Sequence, residues 1–169
     1  MDLRDLKEFT KDTLSYILTA GVVMFVIIYV VTLQQVVGPS MDSTLKNQDV
    51  VLLSKSHYKL FDMKRFDVIA FNYADTKYLI KRVIGLPGDI IYYMNNNLYI
   101  NGVKTKEDFA HGNTDFFGEV HLKDNEYFVL GDNRENSLDS RKMGPFNRKQ
   151  ILGKTHYVLF PFNRFGDVE

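Results

Sequence analysis

The sequence predicts an all-β domain built on an antiparallel sheet and preceded by one amino-terminal transmembrane helix. Three observations carry this. One uncharged apolar stretch lies near the amino terminus. The remaining apolar runs are of strand length and rich in branched and aromatic residues. Between them stand turn signals instead of the long helical patterns that a doubly wound sheet would need. At 169 residues, the chain has room for about one globular domain.

The membrane segment comes first. No charged residue occurs from Thr13 to Met41, and all of residues 14–33 are apolar except Ser15, Thr19, Gly21 and Thr32. At about 1.5 Å per residue, twenty helical residues match the roughly 30 Å hydrocarbon layer. A cleaved leader has an apolar region of only about 7–15 residues and ends in a small-x-small site, which Leu33-Gln34-Gln35-Val36-Val37 does not offer. Arg4, Lys7 and Lys11 precede the segment and Lys46 alone follows closely, so the amino terminus is expected in the cytoplasm and the remainder outside. The expected division is therefore a cytoplasmic segment 1–13, an anchor 14–33 and an extracytoplasmic β-rich catalytic domain 34–169, a single-pass protein of the cell membrane.

The strands follow at 50–53, 68–71, 78–84, 90–94, 98–100, 127–130 and 157–160. They are separated by Pro87-Gly88-Asp89, Asn95-Asn96-Asn97, Asn101-Gly102 and Gly131-Asp132-Asn133. The two close turns near 95 and 101 predict a meander. A short helix is expected near 147–152, with Asn147 as cap and Gln150 completing a capping box. Residues 104–124 are polar with weak pattern and read as a surface excursion. Lys and Arg total 21, equal to Asp and Glu, so the chain lacks the net positive charge of a nucleic-acid binder. The absence of cysteine excludes disulfides and thiolate chemistry.

Three segments can carry chemistry. In the strand 78–84, alternation puts Lys81 on one face with Leu79 and Val83. An ammonium between apolar neighbours loses hydration, which favours the neutral amine and makes it a base near neutral pH. The plain alternative is a lysine whose stem crosses an apolar rim to water. Gly38-Pro39-Ser40-Met41 breaks regular structure where the anchor ends and presents a serine hydroxyl, although a simple turn serine would look the same. The polar run from Gly131 to Arg141 is a hydrogen-bonded loop. As a calcium loop counted from Asp132 it fails, because Arg134 and Ser137 fill the positions that need an oxygen ligand and glycine.

Together these segments resemble the type I signal peptidase family, membrane-anchored Ser-Lys endopeptidases that remove signal peptides from exported proteins. The resemblance is closest to the small Gram-positive members. It rests on the anchor, the segments Gly38-Pro39-Ser40-Met41-Asp42-Ser43-Thr44-Leu45, Phe66-Asp67-Val68-Ile69-Ala70-Phe71 and Tyr78-Leu79-Ile80-Lys81-Arg82-Val83-Ile84-Gly85-Leu86-Pro87-Gly88-Asp89, and the Gly131 to Arg141 loop, in that order. It implies Ser40 as nucleophile, Lys81 as general base, and cleavage through an acyl-enzyme after Ala-x-Ala-like sequence. It implies that Ser137 hydrogen-bonds and aims the lysine, that Asp139 with Arg141 and Asp132 with Arg82 fix the loop, and that the Ser40 backbone amide belongs to the oxyanion hole. Gly38 stands where some relatives supply a hydroxyl, so a second donor must come from elsewhere. The matching pocket positions are Val36, Met41, Leu45, Leu79 and Ile80. Exported preproteins and the lipid bilayer are the implied partners; no cofactor, metal or nucleic acid is.

Two positions depart from the family pattern: Ser43 replaces a usual proline and Phe66 a usual glycine. The rival reading is a noncatalytic or narrowly dedicated relative that assists surface-fibre assembly, against which stand both Ser40 and Lys81. Ser43-Thr44-Leu45-Lys46 fits the S-x-x-K of penicillin-binding enzymes, but the supporting S-D-N and K-T-G are absent. Self-cleaving repressors share the dyad but lack an anchor.

Overall fold

The computed structural model describes residues 2–55, 63–73 and 78–168. Helix α1, Leu3–Phe25, begins with Asp5 accepting the Asp2 N–H and runs into a π-helical turn, Val26–Val30. The uncharged part of this helix, 13–30, is about 27 Å long, close to the hydrocarbon thickness. None of its residues is buried against the rest of the chain, and it is the one helix among the described residues long and apolar enough to cross a membrane.

Residues 31–33, read above as the end of the anchor, are instead the start of strand β1, Val31–Gln35. It pairs antiparallel with β2, Val50–Ser54, in the register Val31 to Ser54 and Gln35 to Val50. A continuous apolar run has no periodicity to mark where a helix gives way to a strand, so pairing decides the boundary. The junction is tied by Lys55, whose backbone N–H bonds the Val30 carbonyl and whose Nζ bonds the Ile28 carbonyl at 3.1 Å.

The rest is mostly antiparallel β-structure, with one short helix, α2 Ser140–Met143, and two 3₁₀ turns among the described residues. The strands are β3 Val68–Asn72, β4 Tyr78–Gly85, β5 Ile90–Met94, β6 Asn97–Ile100, β7 Val103–Thr105, β8 Phe117–His121, β9 Glu126–Leu130, β10 Phe146–Asn147, β11 Ile151–Phe160 and β12 Gly166–Asp167. The larger sheet has the order β1-β2-β11-β3-β4-β9-β10, with β12 on β11; the smaller is β7-β6-β5-β8. The meander is present: Asn95-Asn96 and Asn101-Gly102 are two-residue turns with both residues at positive φ, as tight hairpins demand.

Three expectations are corrected. The excursion 104–124 contains β8, which pairs with β5 through Ile90 to His121; its weak alternation hid a strand half exposed on both faces. The last predicted strand begins at Ile151, not Tyr157, because β11 is bulged and its pattern breaks where it passes from β3 to β2. The helix near 147–152 shrinks to a 3₁₀ turn, Arg148–Gln150. Its Asn147 and Gln150 capping box forms as expected, and Ile151 and Leu152 join the strand.

Candidate active site

The serine turn hangs on the edge of the core. Gly38 has φ +89°, open to glycine and costly for other residues, and its N–H donates to Asn47 Oδ1 at 2.9 Å. Beyond Pro39 the chain winds into a helical turn, with the Asp42 N–H on the Pro39 carbonyl and the Leu45 N–H on the Met41 carbonyl. The four-residue spacing aims Met41 and Leu45 inward, where they pack with Val36, Val51, Leu53 and Ile80. Ser40 is left half-buried on the opposite side.

Strand β4 brings the lysine. Leu79 and Val83 belong to one core cluster and Ile80 to another, as alternation requires. Lys81 pairs in register with Ile69 of β3 and is only 2% exposed. Its Nζ lies 2.6 Å from Ser40 Oγ and donates to the Ile80 carbonyl at 2.8 Å. Loss of hydration pulls the Lys81 pKa down from 10.5 to about 8, against the partial pull upward of the Asp139 and Asp132 charges.

The loop after β9 frames this pair. Arg82, on the face of β4 opposite to Lys81, makes a bidentate ion pair with Asp132: Nε to Oδ1 at 2.9 Å and Nη2 to Oδ2 at 2.8 Å, both residues buried. Thr44 Oγ1 joins it, donating to Asp132 at 2.6 Å and accepting from Arg82 at 2.9 Å, so the pair grips the serine turn directly. The Asn133 N–H holds the Ser40 carbonyl at 3.1 Å. Asp139 accepts from Arg141 at both oxygens and from the Gly131 N–H. Burial pushes its carboxyl up, but Arg141 and the neighbouring donors outweigh that and hold it below the usual range.

Gly131 is packed tightly between Ser137 and the backbone of Ser40. A Cβ there would lie 2.3 Å from Ser137 Oγ and 2.5 Å from the Ser40 carbonyl oxygen, so no other residue fits. Ser137 is thus beside the site, buried, and near enough to Asp139 to help lower its pKa. Its Oγ nevertheless lacks a hydrogen-bond partner in good geometry among the described residues. The bond from Ser137 to Lys81 that the resemblance implies is not formed here; the adjacent Ile80 carbonyl takes that place.

Of the expected pocket residues, Val36, Met41, Leu79 and Ile80 line a shallow cleft with Ser40 and Lys81, together with Val37 and Tyr78, which sequence reasoning missed. Leu45 does not reach it, being fully buried beneath the turn. Tyr78 closes one end by donating to the Gln35 carbonyl at 2.9 Å. Also unforeseen are the buried Arg134 and Glu107 ion pair and Arg164, which joins Asp49 to the Thr44 carbonyl. The partners in each pair lie 27 and 115 residues apart, so no local pattern signals them.

The sequence pattern of the family described as "Signal peptidase, peptidase S26" matches residues 7–160. Signal peptidase I S of Bacillus subtilis (strain 168) is 42% identical over 139 residues, covering 75% of each chain. Signal peptidase IB of Staphylococcus aureus is 34% identical over 178 residues, covering 92% of this chain and 93% of that one. The crystal structure of a signal peptidase I from Enterococcus faecalis V583 superposes with a TM-score of 0.50 at 34% identity, over 55% of this chain and 96% of that one. With its single apolar helix, its antiparallel sheets and these matches, the chain belongs to the signal peptidase family, peptidase S26, and is a membrane enzyme of it.

Proposed function

We propose that this enzyme cleaves signal peptides from exported preproteins after small residues, with Ser40 as nucleophile and Lys81 as its general base. The observation that carries this reading is the 2.6 Å contact between Lys81 Nζ and Ser40 Oγ, made by an amine with a pKa of about 8. In the neutral form, Nζ accepts the hydroxyl proton while one of its N–H groups stays on the Ile80 carbonyl. Oγ then adds to the scissile carbonyl carbon. The Ser40 N–H, which has no partner among the described residues, is free to receive the developing oxyanion. The Lys81 ammonium returns its proton to the leaving amine, the mature protein departs, and a water deprotonated by the same amine hydrolyses the Ser40 ester. Ser137, buried beside the dyad with a free hydroxyl, is suited to steady the ammonium once it forms.

The substrate lies extended along β4. That strand pairs with β9 only from Arg82 onward, which leaves the edge at 78–81 open beside Val36 and Val37. The cleft is shallow, with Met41, Val36 and Ile80 almost wholly buried in its floor, so it takes small side chains. The apolar helix spans the bilayer with Arg4, Lys7 and Lys11 on the cytoplasmic side and the β-domain outside. Tethering to the lipid surface keeps the dyad near the membrane-inserted substrate and raises its effective concentration.

The test is cleavage of a preprotein carrying Ala-x-Ala by the full chain in detergent, with product termini identified by mass spectrometry. Cleavage is expected directly after the last alanine. Replacing that alanine by phenylalanine should lower kcat/KM by at least about 100-fold. Equal cleavage of both substrates would contradict the shallow-pocket reading.

A further inference from the structure

The residues just after the nucleophile are held by a segment to which neither the resemblance nor the catalytic reading assigns a role. Residues 107–111 form a tight turn, with the Ala110 N–H on the Glu107 carbonyl, and dock on the loop after β9. The Glu107 carboxylate binds the buried Arg134 guanidinium, the His111 N–H bonds the Asp132 carbonyl at 2.9 Å, and the Arg134 N–H bonds the His111 carbonyl at 3.0 Å. From this footing the segment touches two consecutive residues of the serine turn, Asp42 and Ser43, and reaches Thr44 through Arg82. His111 Nε2 lies 2.5 Å from the Asp42 carbonyl oxygen, which fixes Nε2–H as the donor. Ser43 Oγ donates to the Phe109 carbonyl at 3.0 Å. The Phe109 ring lies 4.2 Å from the Arg82 guanidinium, which in turn holds Thr44 Oγ1.

The two departures from the family pattern converge on the same residue, Phe109, one at its carbonyl and the other at its ring. Ser43 has φ +112°, a conformation closed to proline, and spends its hydroxyl on Phe109. Phe66 has φ +71°, packs its ring at a tilt against Phe109 with centroids 5.1 Å apart and accepts from Arg82 through its carbonyl at 3.0 Å.

We infer that residues 107–111 are a positioning strap for the nucleophile: His111 and Phe109 clamp the turn at Asp42 and Ser43 and, through Arg82, at Thr44, beside the Asn133 contact to the Ser40 carbonyl, and so hold Ser40 Oγ against Lys81. This rests on the Ser40 and Lys81 reading. The His111 side chain of the strap and the Ser43 side chain of the turn that make these contacts are exposed, so removing their hydrogen bonds moves the nucleophile without opening the core.

The test uses the full chain with Ser43→Ala/His111→Ala, the same double variant with His111→Gln in place of alanine, and Ser40→Ala as control. A displaced nucleophile of an ångström or less costs up to about 100-fold. The first double variant is therefore expected to lose about 10- to 100-fold in kcat, with KM within about twofold and an unchanged melting midpoint. Glutamine, whose amide nitrogen reaches the Asp42 carbonyl, should restore most of the part due to His111. Wild-type kcat in the double variant, a glutamine form no better than alanine, or a loss matched by a fall in melting midpoint would overturn the strap. Full activity of Ser40→Ala would strike the dyad reading instead, so the two failures are separable.

Discussion

Ser40→Ala is expected to lower kcat/KM for a model preprotein by at least about 10⁴-fold, and Lys81→Ala to fall to a similar level. The reasoning is geometric. Lys81 Nζ is the one base within hydrogen-bond distance of Ser40 Oγ among the described residues, and no histidine lies between them. Without the hydroxyl there is no atom to acylate. Without the amine the hydroxyl keeps its proton and its ordinary, weak nucleophilicity. Because the two act as a unit, the double variant should be no slower than either single one. Lys81→Arg should not rescue, since guanidinium stays charged at any working pH. Cleavage rates from initial velocities on purified protein decide this. More than about a tenth of wild-type activity in Ser40→Ala would remove the serine from the mechanism.

Asp132→Asn is expected to destabilise the β-domain by about 3–5 kcal/mol, because it removes the carboxylate that pairs bidentately with the buried Arg82 guanidinium. Arg82 and Asp132 are 2% and 0% exposed, so solvent cannot take over the missing charge. For a domain of this size the melting midpoint should fall by roughly 6–20 °C. Activity should fall further than the folded fraction does, since Thr44 loses an acceptor and the serine turn a support. Pairing the change with Arg82→Met should recover much of the stability by removing the buried charge that Asp132 balances, yet not the cleavage rate. Thermal unfolding followed by circular dichroism in detergent checks both statements. A midpoint within about 2 °C of wild type in Asp132→Asn would show that the pair does not hold the loop.

Much of this architecture was legible locally. The anchor showed as charge-free sequence, most strands as short branched runs, and both hairpin turns as Asn and Gly pairs whose positive φ only such residues adopt cheaply. Lys81 was readable because strand alternation put it between Leu79 and Val83, and burial beside Ile69 follows from that face. What failed was local pattern without local cause. Residues 31–33 look like helix until β2 pairs with them, and β8 has no buried face to mark it. Leu45 stood in line with the pocket residues, but its place on the turn points it into the core. The strap and the Arg164 contact join distant parts of the chain, so nothing short of the folded topology could reveal them.

The central claim is that Ser40 is activated by an amine kept largely out of water, and the pH dependence of kcat/KM tests it most directly. Burial disfavours the ammonium, so the folded-state pKa lies below the ordinary 10.5, at about 8, and the active form is the neutral one above that pH. At pH 7 only about a tenth of the enzyme carries a neutral Lys81, so the rate should rise about tenfold before levelling. The predicted result is one ascending limb with its midpoint at about 8, lost in Lys81→Ala. A midpoint near 10.5, or the same limb persisting in Lys81→Ala, would contradict the account.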